Sequence, residues 1–310
     1  MSMTLGNLKQ PGYSTSLMGV LHAAADYYRM GLDVATIYGG TGHAFLMNVH
    51  KDLCPSSPYV WDHAPLHGLA ANLGLVITDI ASYERDTQLE RRLQLEARIR
   101  ELLDNGVVCG VINMDHQLIY GYEEARLLLA EPWGPMPITP PVLSSETWVE
   151  FGEEVHATFY RIERADAADP RTAAQEALRF AVELSEHPGR YAEPDYGMGP
   201  EAYRNWIEAV RAGKGNEHGA WWNGIVWSEC RGHAAAYLRA LADSSYGDSE
   251  TTRSALYGAA ASYHQIALEL SNAADREQPA EEKIASLERA RDEEASVVGS
   301  LPAVIELLNA

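Results

Sequence analysis

Cysteine is scarce in this chain: Cys54, Cys109 and Cys230 are the only three in 310 residues. They are too few and too scattered for a disulfide framework or a cysteine zinc site, and a reducing cytoplasm is the expected setting. Basic side chains are also in deficit, with 24 Lys and Arg against 44 Asp and Glu and a formal net charge of −20. Nucleic acid and anionic membrane surfaces attract clustered positive charge, so neither is an expected partner. No run approaches the roughly 20 apolar residues that cross a bilayer. Met1 to Tyr13 lacks the basic cluster and apolar stretch of a secretory signal. What remains is a chain with 46% hydrophobic and 22% charged residues. That is enough for a substantial core without a metal or disulfide, in one large domain or two ordinary ones.

Hydrophobic periodicity divides the chain. In SLMGVLHAAADYY, residues 16–28, Leu17, Val20, Leu21, Ala24 and Tyr28 fall on one helical face, and Gly31 ends the helix. A short segment follows at 32–38, then an apolar, extended stretch from His43 to Val49, and a short helix from Asp62 to Leu73 with Asp62 as its cap. Val76 to Ile80 is expected as a strand. Residues 84–103 carry alternating charge and a Leu89, Leu93, Leu95, Ile99, Leu102, Leu103 stripe, which predicts an amphipathic helix. The period then changes: 107–113, 117–122, 126–130 and 155–162 are β-branched or aromatic runs separated by turn residues and the proline-dense 131–141 segment, as in an antiparallel sheet. From about 166 onward the pattern is alanine-rich and helical, at 172–184, 201–212, 221–241, 251–270 and 281–308. The expectation is an α+β domain over 1–165 and an all-α helical domain over 166–310.

Several local patterns have an ordinary structural explanation. Gly39-Gly40-Thr41-Gly42 lacks the lysine of a phosphate loop and reads as a tight turn. His63 and His67 stand four apart, but Pro65 lies between them and no HExxH frame is present, so no metal is expected. Trp221-Trp222-Asn223, after the glycine-rich 213–219 loop, could form a lid over a ligand or anchor helix packing. Tyr59-Val60-Trp61-Asp62-His63 offers a similar aromatic and polar mixture.

One constellation is more informative. Gln10 precedes Gly12-Tyr13-Ser14-Thr15-Ser16 at the entrance to the first helix; Asp115-His116 opens an apolar strand ending Gly121-Tyr122; Glu131-Pro132-Trp133-Gly134 follows the next strand. A nucleophile at a helix N-terminus is stabilised as an anion, a histidine at a strand start can deprotonate it, and a nearby carboxylate can orient the histidine. That order is papain-like.

The same residues resemble the bacteriocin-exporter peptidase branch of papain-like proteins, and more closely the BtrH-type family of butirosin biosynthesis. The latter similarity extends into the helical half through Trp206, Asn223, Arg231 and the 231–238 helix, and so spans most of the chain. It implies a papain-like, cysteine-protease-type N-terminal domain with an appended helical domain, and acyl transfer in secondary metabolism. The donor would be an aminoacyl thioester on an acyl carrier protein and the acceptor a small-molecule amine, with no cofactor. The corresponding roles are Ser14 or Ser16 as nucleophile, His116 as base, Glu131 as orienter and Gln10 as oxyanion donor. Tyr13, His43, Trp61, Trp221, Trp222, Asn223 and Arg231 are candidate substrate contacts, with substrate between the domains.

This chain departs from that pattern in offering Ser14, Thr15 or Ser16 where cysteine is usual, and Glu131 where aspartate is usual. A serine hydroxyl is far harder to deprotonate than a thiol. Three readings therefore stand: an acyltransferase or amide hydrolase using serine, a non-catalytic small-molecule-binding pseudoenzyme, and an enzyme using Cys54 or Cys230 in another arrangement. Helix capping by Ser14 and Ser16, and simple hydrogen bonding by a strand-edge His116, are the structural alternatives. The long amphipathic helices make a homodimer a reasonable arrangement.

Overall fold

The structure, a computed structural model, describes residues 2–84, 86–113, 115–124, 126–132, 156–247 and 249–309. Trp133 and Gly134 of the Glu131 motif, the prolines after them and Val155 lie outside the described residues. The architecture is mixed α and β with an antiparallel sheet. The chain forms two compact units, both discontinuous: residues 1–33 with 74–167, and residues 34–73 with 168–310. The junction at 167/168 falls beside the expected one, whereas residues 34–73 belong with the helices.

Elements are numbered along the whole chain. In the first unit β1 (Ser2–Thr4), β3 (Leu75–Glu84), β4 (Val108–Asn113), β5 (Asp115–Glu123), β6 (Arg126–Leu129) and β7 (His156–Arg164) make one sheet, accompanied by α1 (Ser16–Tyr27) and α4 (Leu89–Asp104). β5 is the organising strand. Its Ile119 pairs with both Cys109 of β4 and Leu129 of β6, and its Gly121 with both Thr4 of β1 and Leu128 of β6. A strand has two edges, so β4 and β1 share one edge of β5 and β6 takes the other.

α1 is apolar nearly all round: Leu17, Met18, Val20, Leu21, Ala23, Ala24 and Ala25 are all buried. A helix of that composition needs cover on most of its circumference, and α1 packs on β5. Two departures from the sequence reading follow from exposure. β3 continues to Glu84, where the sequence suggested that a helix starts, because an edge strand with a wet face tolerates Asp79, Ser82 and Glu84. On α4 the buried face carries Arg92, Leu95, Glu96, Ile99, Leu102 and Leu103, while Leu89 and Leu93 are 57% and 48% exposed. At 100° per residue those two leucines lie outside the arc of the others.

The second unit holds α2 (Val34–Gly40), β2 (Asn48–His50), α3 (Ala64–Asn72), α5 (Pro170–Glu186), β8 (Tyr196–Met198), α6 (Pro200–Arg211), α7 (His218–Asp243), α8 (Glu250–Ala274) and α9 (Ala280–Asn309). The long helices α7, α8 and α9 pack in succession, and α9 also receives α5 and α6. Asp169 starts α5 by accepting from the amides of Arg171 and Thr172 ahead of Pro170, a good first residue because it has no amide hydrogen to satisfy. The half after 166 is not wholly helical: β8 pairs antiparallel with β2, about 150 residues earlier. The stretch read as extended from His43 begins instead as a 3-10 turn over His43–Phe45, set by Gly42 at φ 74°, and only Asn48–His50 is strand. Among the described residues no helix is long and apolar enough to cross a membrane.

Candidate functional site

The start of α1 and the start of β5 meet through polar side chains. Ser16 is the first residue of α1 and is completely buried. Its hydroxyl donates to Asp115 Oδ1 at 2.7 Å, and its oxygen accepts the backbone N–H of His116 at 2.9 Å. Gln10 reinforces the junction: Nε2 donates to the carbonyls of His116 (2.8 Å) and Ser16 (3.3 Å), while Oε1 accepts from the amide of Leu118 at 2.9 Å. Gly19 is what lets the Gln10 segment lie on the helix, since a Cβ there would sit 2.5 Å from the carbonyl oxygen of Pro11. The N-cap of α1 is Thr15, without a side-chain cap bond, so the Ser16 hydroxyl serves the strand rather than the helix end. Ser14 is half-buried just ahead of it.

His116 is 5% exposed, and its Nδ1 lies 2.9 Å from the hydroxyl of Tyr160, itself 3% exposed. Tyr160 is on β7 and His116 on β5, with β4 between them. The phenol crosses β4 over Gly110, its register partner, where any Cβ would stand 2.5 Å from the ring. Burial raises the Tyr160 pKa, so the group on the imidazole is a neutral phenol. The amide of Ala130 donates to the Leu118 carbonyl and Gln117 Nε2 to the Ala130 carbonyl, which fixes the approach to Glu131. Glu131 is exposed. It lines a cavity of about 670 Å³ together with Asn7, Lys9, Gln10 and Tyr120.

Thus Gln10, Ser16 and His116 come together. Asp115 is the residue that sequence reasoning passed over as a participant. Its signal was present, a carboxylate directly before His116 at the opening of an apolar strand, but its partner lies 99 positions away.

The proposed substrate contacts fall in both units. Tyr13 is half-buried in the first, with its hydroxyl 2.6 Å from His22 Nδ1. The others belong to the second unit. Arg231 is fully buried; it donates through Nε and Nη2 to Glu294 and through Nη1 to the carbonyls of Ala44 and Leu46. Asn223 is also fully buried, donating to the Gly219 carbonyl and accepting from Trp227 Nε1. Both side chains hold the core together. Trp61 is 6% exposed and donates to the Pro58 carbonyl. Trp221 and Trp222 are half-buried neighbours, and the guanidinium of Arg276 lies 5.0 Å over the Trp221 ring. His43 is buried, and its pKa is driven down to about 3 by desolvation, with His63 and Arg231 adding to the effect. Among the described residues no group of three His, Cys, Asp or Glu side chains is arranged to hold a metal ion.

The thiols differ in access. Cys109 and Cys230 are both 0% exposed, and burial pushes the Cys109 thiol up to about 12. Cys54 is half-buried, with Sγ 2.8 Å from Ser56 Oγ. Iodoacetamide on the native protein should therefore give a single adduct, at Cys54, and three adducts in denaturant, read by intact mass and peptide mapping. Equal native rates at Cys109 or Cys230 would contradict this burial.

No protein-family model and no curated protein matches the chain.

Proposed function

We propose that the first unit is a papain-like scaffold of the BtrH type that binds a small polar metabolite in the cavity beside Gln10 and Glu131, with Ser16 serving as a structural brace instead of a nucleophile. The observation that carries this reading is the bonding of Ser16. A hydroxyl has one proton, and that of Ser16 is directed to Asp115, not to an imidazole nitrogen. The oxygen also holds the His116 amide and has no exposed surface from which to attack a carbonyl. Gln10, the residue placed to stabilise an oxyanion, has both ends of its amide on the backbone. Residues in the positions of an acyl-transfer machine therefore act as a brace between helix and strand. The polar rim of the cavity, with Asn7, Lys9, Gln10 and Glu131, suits a small hydrophilic ligand.

The test is covalent trapping. Incubation with a fluorophosphonate, or, once Cys54 has been alkylated, with an aminoacyl thioester of N-acetylcysteamine, should leave the intact mass unchanged. An acyl or phosphonyl adduct at Ser14 or Ser16 would overturn the proposal. One observation favours acyl transfer as a second reading: Ser16 Oγ stands at a helix N-terminus, 2.7 Å from a carboxylate able to take its proton. In that case Asp115, rather than His116, is the base, a carrier-protein thioester is the donor, and the adduct should vanish in Asp115→Asn.

A further inference from the structure

The second unit contains a partly open cavity of about 170 Å³, bounded by the last turn of α5, the first turn of α6 and α9. Phe45, Ala181, Leu184 and Val298 supply apolar wall, and Tyr203 and Glu294 supply polar atoms. Arg291 and Asp292, bonded to each other at 2.9 Å, stand at its exposed side. An apolar cavity of roughly 150 Å³ can hold a benzene molecule, so this one accommodates a single ring with a short substituent.

The polar atoms define the substituent. Glu294 Oε2 accepts two hydrogen bonds, from Tyr203 Oη (2.5 Å) and Arg231 Nε (3.2 Å), while Oε1 accepts one, from Arg231 Nη2 (2.5 Å). A carboxylate oxygen takes two donors, which leaves one acceptor position on Oε1. The carboxylate charge is already balanced by the buried Arg231. A ligand ammonium would enter an apolar space without a counter-charge of its own, and a ligand carboxylate would face Glu294. A neutral hydroxyl satisfies the open acceptor at no electrostatic cost.

We propose that this cavity is a binding site for a small neutral alcohol or phenol with a body about the size of one aromatic ring, the hydroxyl donating to Glu294. The site is independent of the reading given to Ser16 and Gln10, because all of its residues belong to the other unit.

The experiment is a titration of the full chain, labelled at Ala, Leu and Val methyls, followed by carbon-detected NMR. Benzyl alcohol should shift the Ala181, Leu184 and Val298 methyls, with saturation at or below about 10 mM, the range open to a ligand of so few heavy atoms. Toluene, benzoate and benzylammonium should each bind at least tenfold more weakly. Ala181→Leu, which fills the interior, should abolish the shifts. Because a larger side chain at a buried position can impair folding, Ala295→Trp, at an exposed position on the rim, provides the second variant and should block access in a folded protein. Failure of benzyl alcohol to shift these methyls, equal binding of the charged or hydroxyl-free analogues, or undiminished binding in a folded Ala295→Trp protein would each overturn the proposal.

Discussion

Arg231→Met is expected to cost about 3–5 kcal/mol of stability, and Glu294→Leu about as much. Arg231 has no exposed surface, and its five donors sit among Glu294 and the carbonyls of Ala44 and Leu46. Removing the guanidinium strands a carboxylate among Phe45, Tyr203 and Val298; removing the carboxylate strands the guanidinium. Either loss is large against the 5–15 kcal/mol that holds a typical domain together. The double replacement leaves no buried charge, so its cost should fall well below the sum of the two. It will not vanish, because Tyr203 and the two carbonyls each lose a partner, at about 1–3 kcal/mol apiece when left unsatisfied. A urea-unfolding cycle over the four proteins reads the coupling directly. Strictly additive single costs would mean that the pair is not the buried clasp described here. The sequence marked Arg231 as a substrate contact through family resemblance. Its position in the middle of α7, facing α9, makes it a crosslink between helices instead.

Local chemistry was the legible part of this fold. The apolar run 16–28 predicts α1, observed at Ser16–Tyr27, and the alanine-rich segments predict α7, α8 and α9 to within a few residues at each end. β3 to β7 announced themselves through β-branched and aromatic runs, whereas β1, three residues long, carried no such signal. Elements defined by distant partners were not legible. β8 is three residues long, too short to show a period, and exists because Asn48–His50 pairs with it. The assignment of 34–73 to the helical unit depends on packing such as Gly39 against Tyr237, where a Cβ would sit 2.1 Å from the ring. The same division applies to the site. Helix start, His116 and Gln10 could be listed from the chain, because each carries a residue type suited to a role. Their bonding could not, since the hydrogen bond from Ser16 to Asp115 joins residues 99 positions apart.

Acid should weaken the second unit before its carboxylates titrate. His43 is buried and His63 half-buried, and both are uncharged in the folded state, their pKa values held down to about 3 and about 4. Desolvation is the main cause for both. At His43 the neighbouring His63 and Arg231 add to it; at His63 the His67 ring adds to it, while a Tyr59 backbone bond and the Asp62 charge oppose it. In the unfolded chain each imidazole returns to about 6.5. Above that value both states are neutral and the pair has no effect on stability. Below it the unfolded state binds protons that the folded state refuses, so stability falls as pH drops and the loss ends only near the folded pKa values. Between pH 7.5 and 5 the linkage amounts to roughly 2 kcal/mol per histidine, about 4 for the two. Carboxylates contribute little in that interval, because their ordinary pKa values lie near 4. Urea midpoints measured across it should therefore decline steadily in the native sequence and by about half as much in His43→Leu or His63→Leu. A flat profile in the native protein, or an unchanged slope in both variants, would show that these imidazoles accept protons without unfolding. The same measurement separates the two polar centres of the chain. A slope that survives in the Arg231→Met, Glu294→Leu double variant does not come from that pair and belongs to the histidines.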